Sequence, residues 1–475
     1  MAALTEVPVS SLSPERFESL LGEGWRTVDE AIEESRRLLK GRVLWNVNST
    51  ARGGGVAELL QSLIAYARGA GVDVRWLTIS GNPDFFRVTK RLHNRLHESE
   101  GDGGPLGPDE REIYEAALAE AADELVELVQ PGDIVDIHDP QPAGLVPHVI
   151  SDEVKVIWRC HIGVDRPGEL ARAAWDFLRR YVEDADAYVF SRKQFVWEGL
   201  DQDRMWIIPP SIDAFSPKNQ DLDADEVGGI LAAIGLQDTP DPGHALFRRF
   251  DGTEARVTRA ADLVQDGPVP EDAPLVTQVS RWDRLKDPVG VQRCFADFLT
   301  SEAAHLLLAG PSVAGVSDDP EGAEVLEEVT AQRSELPAEK RSRVHLASLA
   351  TEDIEENAAM VNAIQRRSDV VVQKSLAEGF GLTVAEAMWK ARPMVASRVG
   401  GIQDQIEDGV SGVLIDDPAD LRAVAEAIDG FIQDPGRAAE AGEAARQRVI
   451  DEFLGTRTLL QYMDLIETLL GADGG

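Results

Sequence analysis

Basic residues and cysteines are scarce in this sequence. The 475-residue chain has 47 lysines and arginines against 84 aspartates and glutamates, which gives a formal net charge of −37. Recognition of nucleic-acid phosphates needs a basic face, so this charge argues against a nucleic-acid-binding protein. The two cysteines, Cys160 and Cys294, are far apart and form no C-x-x-C motif. We therefore expect neither a disulfide framework nor a cysteine-based zinc site. We expect the protein to occupy a reducing compartment.

Long hydrophobic runs are also missing. No apolar stretch reaches about 18 residues, and residues 1–24 lack the basic and then apolar segments of a secretory signal. We therefore expect a cytoplasmic protein with no membrane partner. The hydrophobic content of 43% is nevertheless sufficient for a folded core. At about 100–200 residues per domain, the length predicts two or three domains.

Strand and helix patterns alternate through the first half of the chain. Residues 43–47 are nearly all apolar, which is typical of a strand buried on both faces. A glycine-containing loop at 48–55 and a helical pattern follow. A strand, a glycine loop and a helix in this order open a doubly wound α/β unit. Further strand and helix patterns, including a helix at 108–128, continue this domain to about residue 212.

The same alternation restarts at 275–279 and continues to about residue 396. The sequence therefore predicts an α/β protein with two Rossmann-like domains that face each other across a cleft. The expected boundaries are a helical N-terminal extension at 1–40, a first domain at 41–215, a second domain at 216–452 with a surface insertion at 237–272, and a C-terminal helix at 453–475 that packs back on the first domain.

A pair of basic residues follows the first strand of the second half. Arg281 and Lys286 are five residues apart on a loop at the carboxyl end of that strand, where open α/β sheets bind ligands. Arginine offers a fork of hydrogen bonds and lysine a compact charge, so the pair suits a diphosphate. A solvated loop with two ordinary cations is the alternative interpretation.

A second motif combines glycines with two carboxylates. Glu378 stands at a glycine-rich turn, and Glu386 lies two turns into the helix that the turn opens. Glycines allow a ligand to approach the backbone, and the N–H groups at a helix N-terminus favour phosphate oxygens. Carboxylates also accept hydrogen bonds from sugar hydroxyls. An exposed acidic helix start is the alternative, because the helix dipole alone would favour it.

Together these motifs, with the glycines 400–401, resemble the retaining glycosyltransferases of the GT-B fold. More narrowly, the chain is similar to the family of glycosyl-transferring trehalose synthases and their trehalose phosphorylase relatives. The segments that carry the narrower resemblance are 48–49 with 53–58, 85–86 with 89–90 and 93–94, 138–142, 158–162, 209–213, 318–322 and 386–390.

The resemblance implies transfer of glucose from a nucleoside diphosphate glucose to free glucose, with α,α-trehalose and a nucleoside diphosphate as products. The reaction that the resemblance implies requires no metal and no cofactor, and nucleoside diphosphate glucose is its co-substrate. The residues carried over by motif are Arg281, Lys286, His161 and Glu378 for catalysis, Gly53, Gly54, Gly55, Glu386, Gly379, Phe380, Gly381 and Leu382 for the donor, and Asp139 and Gln141 for the acceptor. The family's front-face mechanism would make neither glutamate a nucleophile.

Alternatives to this interpretation remain open. A trehalose phosphorylase would use inorganic phosphate, and another retaining GT-B enzyme would use a different acceptor. A non-catalytic sensor of sugar nucleotides would bind without turnover. Asp318 and Asp319 resemble a metal-binding pair of other glycosyltransferases, but here they belong to the family's own motif. His161 and His138 each end a buried strand, where a structural histidine is the default. We also expect a homodimer.

Overall fold

The computed structural model describes residues 3–51, 55–238, 242–313 and 320–471. The chain divides into two units, one of Met1–Ser211 with Gly455–Gly475 and the other of Ile212–Leu454. Unit 1 and unit 2 each contain a seven-stranded sheet with helices around it. Among the described residues, no helix has the length and apolar character needed to cross a membrane.

Unit 1 is built on a sheet whose strand order is β1-β3-β2-β4-β5-β6-β7, and every neighbouring pair is parallel except β1 with β3. The strands are β1 (Leu4–Glu6), β2 (Leu44–Asn48), β3 (Val74–Ile79), β4 (Ile134–His138), β5 (Lys155–Cys160), β6 (Ala187–Phe190) and β7 (Met205–Ile207). The helices are α1 (Glu18–Leu21), α2 (Trp25–Leu38), α3 (Gly55–Gly69), α4 (Pro83–Leu96), α5 (Pro108–Leu128), α6 (Val146–Val149), α7 (Glu169–Val182) and the C-terminal helix (Gly455–Gly471).

Unit 2 repeats this plan with the strand order β10-β13-β12-β11-β14-β15-β16, in which only β10 with β13 is antiparallel. The strands are β8 (Leu246–Arg248) and β9 (Glu254–Arg256), which form a separate hairpin, then β10 (Asp262–Val264), β11 (Leu275–Val279), β12 (His305–Pro311), β13 (Val344–Leu349), β14 (Val370–Gln373), β15 (Met394–Ser397) and β16 (Val413–Ile415). The helices are α8 (Ala224–Ala233), α9 (Pro288–Phe298), α10 (Pro320–Glu335), α11 (Ala338–Arg341), α12 (Ile354–Arg367), α13 (Leu382–Trp389), α14 (Ile402–Gln405), α15 (Leu421–Gln433) and α16 (Pro435–Glu452).

The central strands are buried because both of their faces are covered by helices. All five residues of β4 and all five of β11 are buried, as expected for strands inside a doubly wound sheet. Helix starts follow local capping rules. For example, the side chain of Asn82 accepts a hydrogen bond from the backbone N–H of Phe85, and Pro83 follows it at the first helical position.

The sequence predicts a helical N-terminal extension at 1–40. This prediction is wrong for the first residues of the segment. It begins with β1, whose pairing with β3 adds an antiparallel edge to the sheet. The carboxylate of Glu124 accepts hydrogen bonds from the backbone N–H groups of Ala3 (3.0 Å) and Leu4 (2.7 Å). Both of these residues are buried in the core of unit 1. A partner 120 residues away therefore holds a strand that is too short to show a pattern of its own.

The segment 237–272 is not simply a surface insertion. Ala245, Phe247, Val257 and Val269 are buried in a hydrophobic cluster of unit 2, and β10 from the same segment extends the sheet. Charged residues stand between these apolar ones, so the sequence shows no regular hydrophobic pattern in this segment. Residues 239–241 of this segment lie outside the described part of the chain.

The C-terminal helix packs within unit 1, as expected. The hydroxyl of Thr458 donates a hydrogen bond to the hydroxyl of Ser211 at 2.9 Å, and Nη2 of Arg457 donates to the carbonyl oxygen of Pro209 at 3.1 Å. These contacts attach the end of the chain to the segment that follows β7.

Candidate active site

In unit 2, the loop after β11 is held by two aspartates. Oδ1 of Asp283 accepts a hydrogen bond from the backbone N–H of Leu285 at 2.8 Å, and its Oδ2 accepts one from Nη2 of Arg281 at 3.0 Å. Asp287 has a left-handed backbone (φ 48°) and caps α9 by accepting from the backbone N–H of Gly290 at 2.9 Å. The ammonium group of buried Lys374 pairs with the same carboxylate. The loop that carries both predicted cations is therefore fixed at both ends.

Lys286 and Glu378 are brought together although they are 92 residues apart. Their side chains form an ion pair, and both are largely buried, with exposed fractions of 14% and 10%. The hydroxyl of Ser375 donates a hydrogen bond to Oε2 of Glu378 at 3.3 Å. Nε2 of Gln278 donates to the backbone oxygen of Lys286 at 2.7 Å. A cation and a carboxylate thus stand side by side at the carboxyl ends of β11 and β14.

Arg281 does not join this ion pair. Its guanidinium contacts Asp283, and 63% of its side chain is exposed. An exposed arginine on the same loop as a fixed lysine can turn to an anionic ligand once its single hydrogen bond to Asp283 breaks.

Glycines allow the turn before α13 to fold closely. Gly381 caps α13 with a left-handed backbone (φ 83°). Gly400 also has a positive φ of 50°, and a Cβ atom there would lie 1.8 Å from the carbonyl oxygen of Glu378. The backbone N–H of Gly401 donates to the carbonyl oxygen of Gly379 at 2.7 Å. A side chain at position 400 would therefore displace the segment that carries Glu378.

The remaining donor-site predictions in unit 2 fall on or beside α13. Leu382 is its first residue. The carbonyl oxygen of Phe380 accepts a hydrogen bond from Nε2 of Gln405 at 2.6 Å. Glu386 is buried in the second turn, and its Oε1 lies 3.4 Å from Nζ of Lys218. The second predicted carboxylate, like the first, has a lysine beside it.

In unit 1, two histidines stand at the ends of neighbouring strands. His138 ends β4 and His161 follows β5, with stacked rings whose centroids are 5.6 Å apart and a distance of 3.3 Å between Nδ1 of His138 and Nε2 of His161. Burial lowers the pKa of His138 to about 4, against the opposing effect of Asp136. Burial, together with the positive charge of Arg159, holds the pKa of His161 well below 6.5. Both imidazoles are neutral at pH 7.

Asp139 follows His138 in a left-handed conformation (φ 68°). Its Oδ1 accepts a hydrogen bond from the backbone N–H of His161 at 2.8 Å, and its own N–H donates to the carbonyl oxygen of Arg159 at 2.7 Å. Burial raises the pKa of Asp139 from 3.8 to about 7. A carboxyl group with such a pKa can exchange a proton or a hydrogen bond near neutral pH.

The segment after Asp139 is held by a buried tyrosine. The hydroxyl of Tyr114 donates to the carbonyl oxygen of Pro140 at 2.7 Å and accepts from the backbone N–H of Gly144 at 2.8 Å. Gln141, the second residue predicted to bind the acceptor, lies between these two contacts and is partly exposed. The structure therefore brings His161 and Asp139 into direct contact and places Gln141 on the same short segment.

Some predicted residues cannot be placed. Gly53 and Gly54, as well as Asp318 and Asp319, lie outside the described residues. Gly55 is the first residue of α3.

Several residues of the site were not expected from the sequence. Lys374 and Asp287 support the loop of Lys286, and Lys218 lies beside Glu386. Oδ2 of Asp136 lies 3.5 Å from Nε2 of His138. The sequence offers a signal for Asp287 alone, because an aspartate before the proline that opens a helix is a typical cap.

The predicted residues of unit 1 and those of unit 2 differ in their chemistry. In unit 2, two cations, a carboxylate and the N-terminus of α13 suit a ligand that carries both negative charge and hydroxyl groups. In unit 1, neutral imidazoles and a carboxyl group with a raised pKa suit an uncharged ligand that is rich in hydroxyls.

Comparisons with known proteins agree with this division. The family model "Trehalose synthase, N-terminal domain" matches residues 46–197, and "Glycosyl transferases group 1" matches residues 262–448. The chain is 35% identical to a trehalose synthase of Pyrococcus horikoshii over 96% of both chains. It is also 35% identical to a trehalose synthase of Rubrobacter xylanophilus, over 93% of this chain and 94% of the relative. A trehalose phosphorylase of Pleurotus pulmonarius is 26% identical over 92% of this chain but only 58% of the relative.

Solved structures share the fold at low sequence identity. A trehalose-phosphate synthase of Burkholderia xenovorans is similar with a TM-score of 0.64 and 14% identity, over 90% of this chain and 100% of that one. A sucrose-phosphate synthase of Thermosynechococcus elongatus has a TM-score of 0.61 and 18% identity, over 91% and 100%. The predicted α/β class and GT-B fold are confirmed. The chain belongs to the trehalose synthase family of group 1 glycosyltransferases, and it is a glycosyltransferase of trehalose metabolism.

Proposed function

We propose that this enzyme transfers glucose, with retention, from a nucleoside diphosphate glucose to the anomeric hydroxyl of free glucose. The products are α,α-trehalose and a nucleoside diphosphate, and the reaction is reversible. The observation that carries the proposal is the Lys286–Glu378 ion pair at a glycine turn, in a chain that aligns with trehalose synthases over nearly its full length. The pair offers one group for a phosphate and one for a sugar.

The cations of unit 2 would stabilise the leaving group. Cleavage of the donor bond builds negative charge on the departing diphosphate, and cations held in place before the reaction lower that barrier most effectively. Lys286 is held by its backbone and by Glu378, whereas Arg281 is exposed and can close on the ligand. No metal ion or cofactor is needed for this role in the proposal.

Glu378 and the turn that follows it would hold the donor glucose. The carboxylate accepts hydrogen bonds from hydroxyls, and residues 379–382 lead into the N-terminus of α13, where N–H groups are available to ligand oxygens. When Lys286 turns to the diphosphate, the ion pair loosens and Glu378 becomes able to bind the sugar. Glu386 would hold the ribose, and Gly53–Gly55 would admit the diphosphate at the start of α3.

Unit 1 would supply the acceptor side. Asp139, with its raised pKa, and Gln141 would orient the acceptor glucose, while the neutral ring of His161 would contact the donor sugar. In this scheme the leaving phosphate takes the acceptor's proton, and neither Glu378 nor Glu386 forms a covalent intermediate.

Similar proteins support the choice of substrates. One solved structure of the same fold, from Anabaena, contains UDP and glucose, with a TM-score of 0.59 and 14% identity. The Burkholderia xenovorans protein contains glucose-6-phosphate. We further propose a cytoplasmic homodimer. Both cysteines are buried and free, as is usual in a reducing compartment.

A trehalose phosphorylase is the second candidate, because relatives of that kind align with 92% of this chain. The two functions differ in the group that leaves trehalose. We therefore propose to incubate the enzyme with trehalose and either inorganic phosphate or ADP, UDP or GDP, and to follow the products by ³¹P NMR. Formation of a nucleoside diphosphate glucose supports the proposal. Glucose 1-phosphate formed from phosphate alone would assign the enzyme to the phosphorylases instead.

A further inference from the structure

A chain of buried polar contacts leads away from His161 in unit 1. Its Nε2 lies 3.3 Å from Nδ1 of His138. Nε2 of His138 in turn lies 3.1 Å from Oδ1 of Asn46 and 3.5 Å from Oδ2 of Asp136. His138, Asn46 and Asp136 are all buried, so water does not compete for these contacts.

The C-terminal helix completes the chain. The hydroxyl of Tyr462 donates to Oδ2 of Asp136 at 2.8 Å, and Nη1 of Arg159 donates to that hydroxyl at 2.7 Å. Nη2 of Arg159 is occupied by the carbonyl oxygen of Ile208 at 3.2 Å. Tyr462 thus anchors a buried carboxylate from a position 326 residues away in the chain.

The partners of His138 assign the protons of the two histidines. Oδ1 of Asn46, 3.1 Å from Nε2 of His138, is an acceptor, and the carboxylate of Asp136 at 3.5 Å adds a negative charge on the same side, so Nε2 of His138 carries the hydrogen. A neutral imidazole has one N–H, which leaves Nδ1 of His138 as an acceptor. Nε2 of His161, which faces it, must then donate. Neutral His161 is left with an unprotonated Nδ1, for which the described residues provide no hydrogen-bond partner.

We propose that Asp136 is a positioning residue that fixes the tautomer of His161, that Tyr462 anchors it, and that Nδ1 of His161 accepts a hydrogen bond from a substrate hydroxyl. The assignment of that hydroxyl to a sugar rests on the proposed function. The tautomer itself follows from contacts inside unit 1 alone.

This arrangement limits what His161 can do. With Nδ1 unprotonated, it can accept a hydrogen bond from a hydroxyl at that atom but cannot donate a proton from it to a departing phosphate. Its partly exposed position beside Asp139 gives the site an acceptor that remains uncharged throughout the neutral pH range. A hydroxyl-bearing ligand would therefore be favoured over a phosphorylated group at that nitrogen.

The tautomer can be measured without any substrate. We propose long-range ¹H–¹⁵N correlation spectra of the ¹⁵N-histidine-labelled, ligand-free full chain at pH 7, with His161→Gln to assign one of the eight histidines. The expected result is an unprotonated Nδ1 and a protonated Nε2 for His161. A protonated Nδ1, or an imidazolium, would overturn the proposal.

Two variants then test the positioning role. Asp136→Asn should give mixed tautomers of His161, because an amide can present either a donor or an acceptor. Tyr462→Phe should keep the tautomer but lower kcat about tenfold or more, by analogy with the loss of an outer partner of a metal-bound histidine, with little change in donor KM. Thr458→Val is the matched control, since it also removes one buried hydroxyl of the C-terminal helix, and it should retain the wild-type kcat.

The outcomes separate the two proposals. Unchanged spectra for Asp136→Asn and unchanged kcat for Tyr462→Phe would refute the positioning role even if trehalose is made. If Asp136→Asn does not fold, the wild-type spectrum alone still decides the tautomer. If the enzyme makes no trehalose but the spectrum shows an unprotonated Nδ1, the proposed function fails and the inference about the histidine stands.

Discussion

Replacement of Asp139 by asparagine should raise the free energy of unfolding of unit 1 and lower the activity of the enzyme. Burial raises the pKa of Asp139 from 3.8 to about 7, so the folded state resists ionisation of this carboxyl group. Asparagine keeps the oxygen that accepts from the backbone N–H of His161 and tolerates the left-handed backbone of this position. The substitution therefore removes the electrostatic cost and retains the local geometry.

The size and sign of this effect follow from linkage. Below about pH 4 the carboxyl group is protonated in the folded and unfolded states alike, and its pKa shift has no effect on stability. Between about pH 4 and 7 only the unfolded state releases the proton, so wild-type stability falls with rising pH, and the cost is complete above about pH 7. At about 1.4 kcal/mol per pH unit, the gain for Asp139→Asn should grow from about 2 kcal/mol at pH 5 to about 4 kcal/mol at pH 8.

The assay is urea-induced unfolding of wild type and variant at pH 5, 6, 7 and 8. Asp186→Asn serves as the control, because Asp186 also accepts a hydrogen bond from a backbone N–H, that of Val156, and its loss also removes one negative charge from a chain of −37. The gain for Asp139→Asn should exceed that of the control and increase with pH. A gain that is equal to the control, or that is independent of pH, would refute the reasoning about Asp139.

Two further predictions concern the proposed donor-binding residues of unit 2 and the charge of the chain. Arg281→Ala and Lys286→Ala should each lower kcat/KM, with a loss of about 3–4 kcal/mol of transition-state stabilisation, by analogy with the loss of one oxyanion donor. Arg284→Ala is the control and should leave kcat/KM unchanged, because the side chain of Arg284 pairs with Glu328. Steady-state kinetics check this, and near-wild-type rates for both variants would mean that the diphosphate binds elsewhere. The charge of −37 should repel an anionic donor at low salt, where the Debye length is about 30 Å, and much less near 0.15 M, where it is about 8 Å. Donor KM should therefore fall as salt rises from low levels, and a constant or rising KM would contradict this.

The sequence predicted those parts of the fold that depend on local patterns. Helix α5 occupies the expected residues, Pro108–Leu128, because a proline opens it and apolar residues recur along one face. The strand β1 was missed, since three residues carry no periodicity and are held by Glu124 from far along the chain. The sequence predicts a surface insertion at 237–272, because the few residues of this segment that the fold buries stand among charged ones.

For the site, family motifs indicated Lys286 and Glu378, and the structure shows them in contact. The supporting residues had no such signal. Lys374 pairs with a residue 87 positions away, and Tyr462 contacts one 326 positions away. Buried polar side chains of this kind resemble surface residues in the sequence, because only the tertiary fold supplies their partners.

The most direct test of the central claim is an NMR measurement of the product. Glucose labelled with ¹³C at C1 is incubated with unlabelled ADP-, UDP- or GDP-glucose, with EDTA and without added metal. We expect a disaccharide in which the labelled carbon forms an α,α-1,1 linkage, together with an equimolar amount of nucleoside diphosphate. A product with another linkage, or the absence of any disaccharide with all three donors, would contradict it.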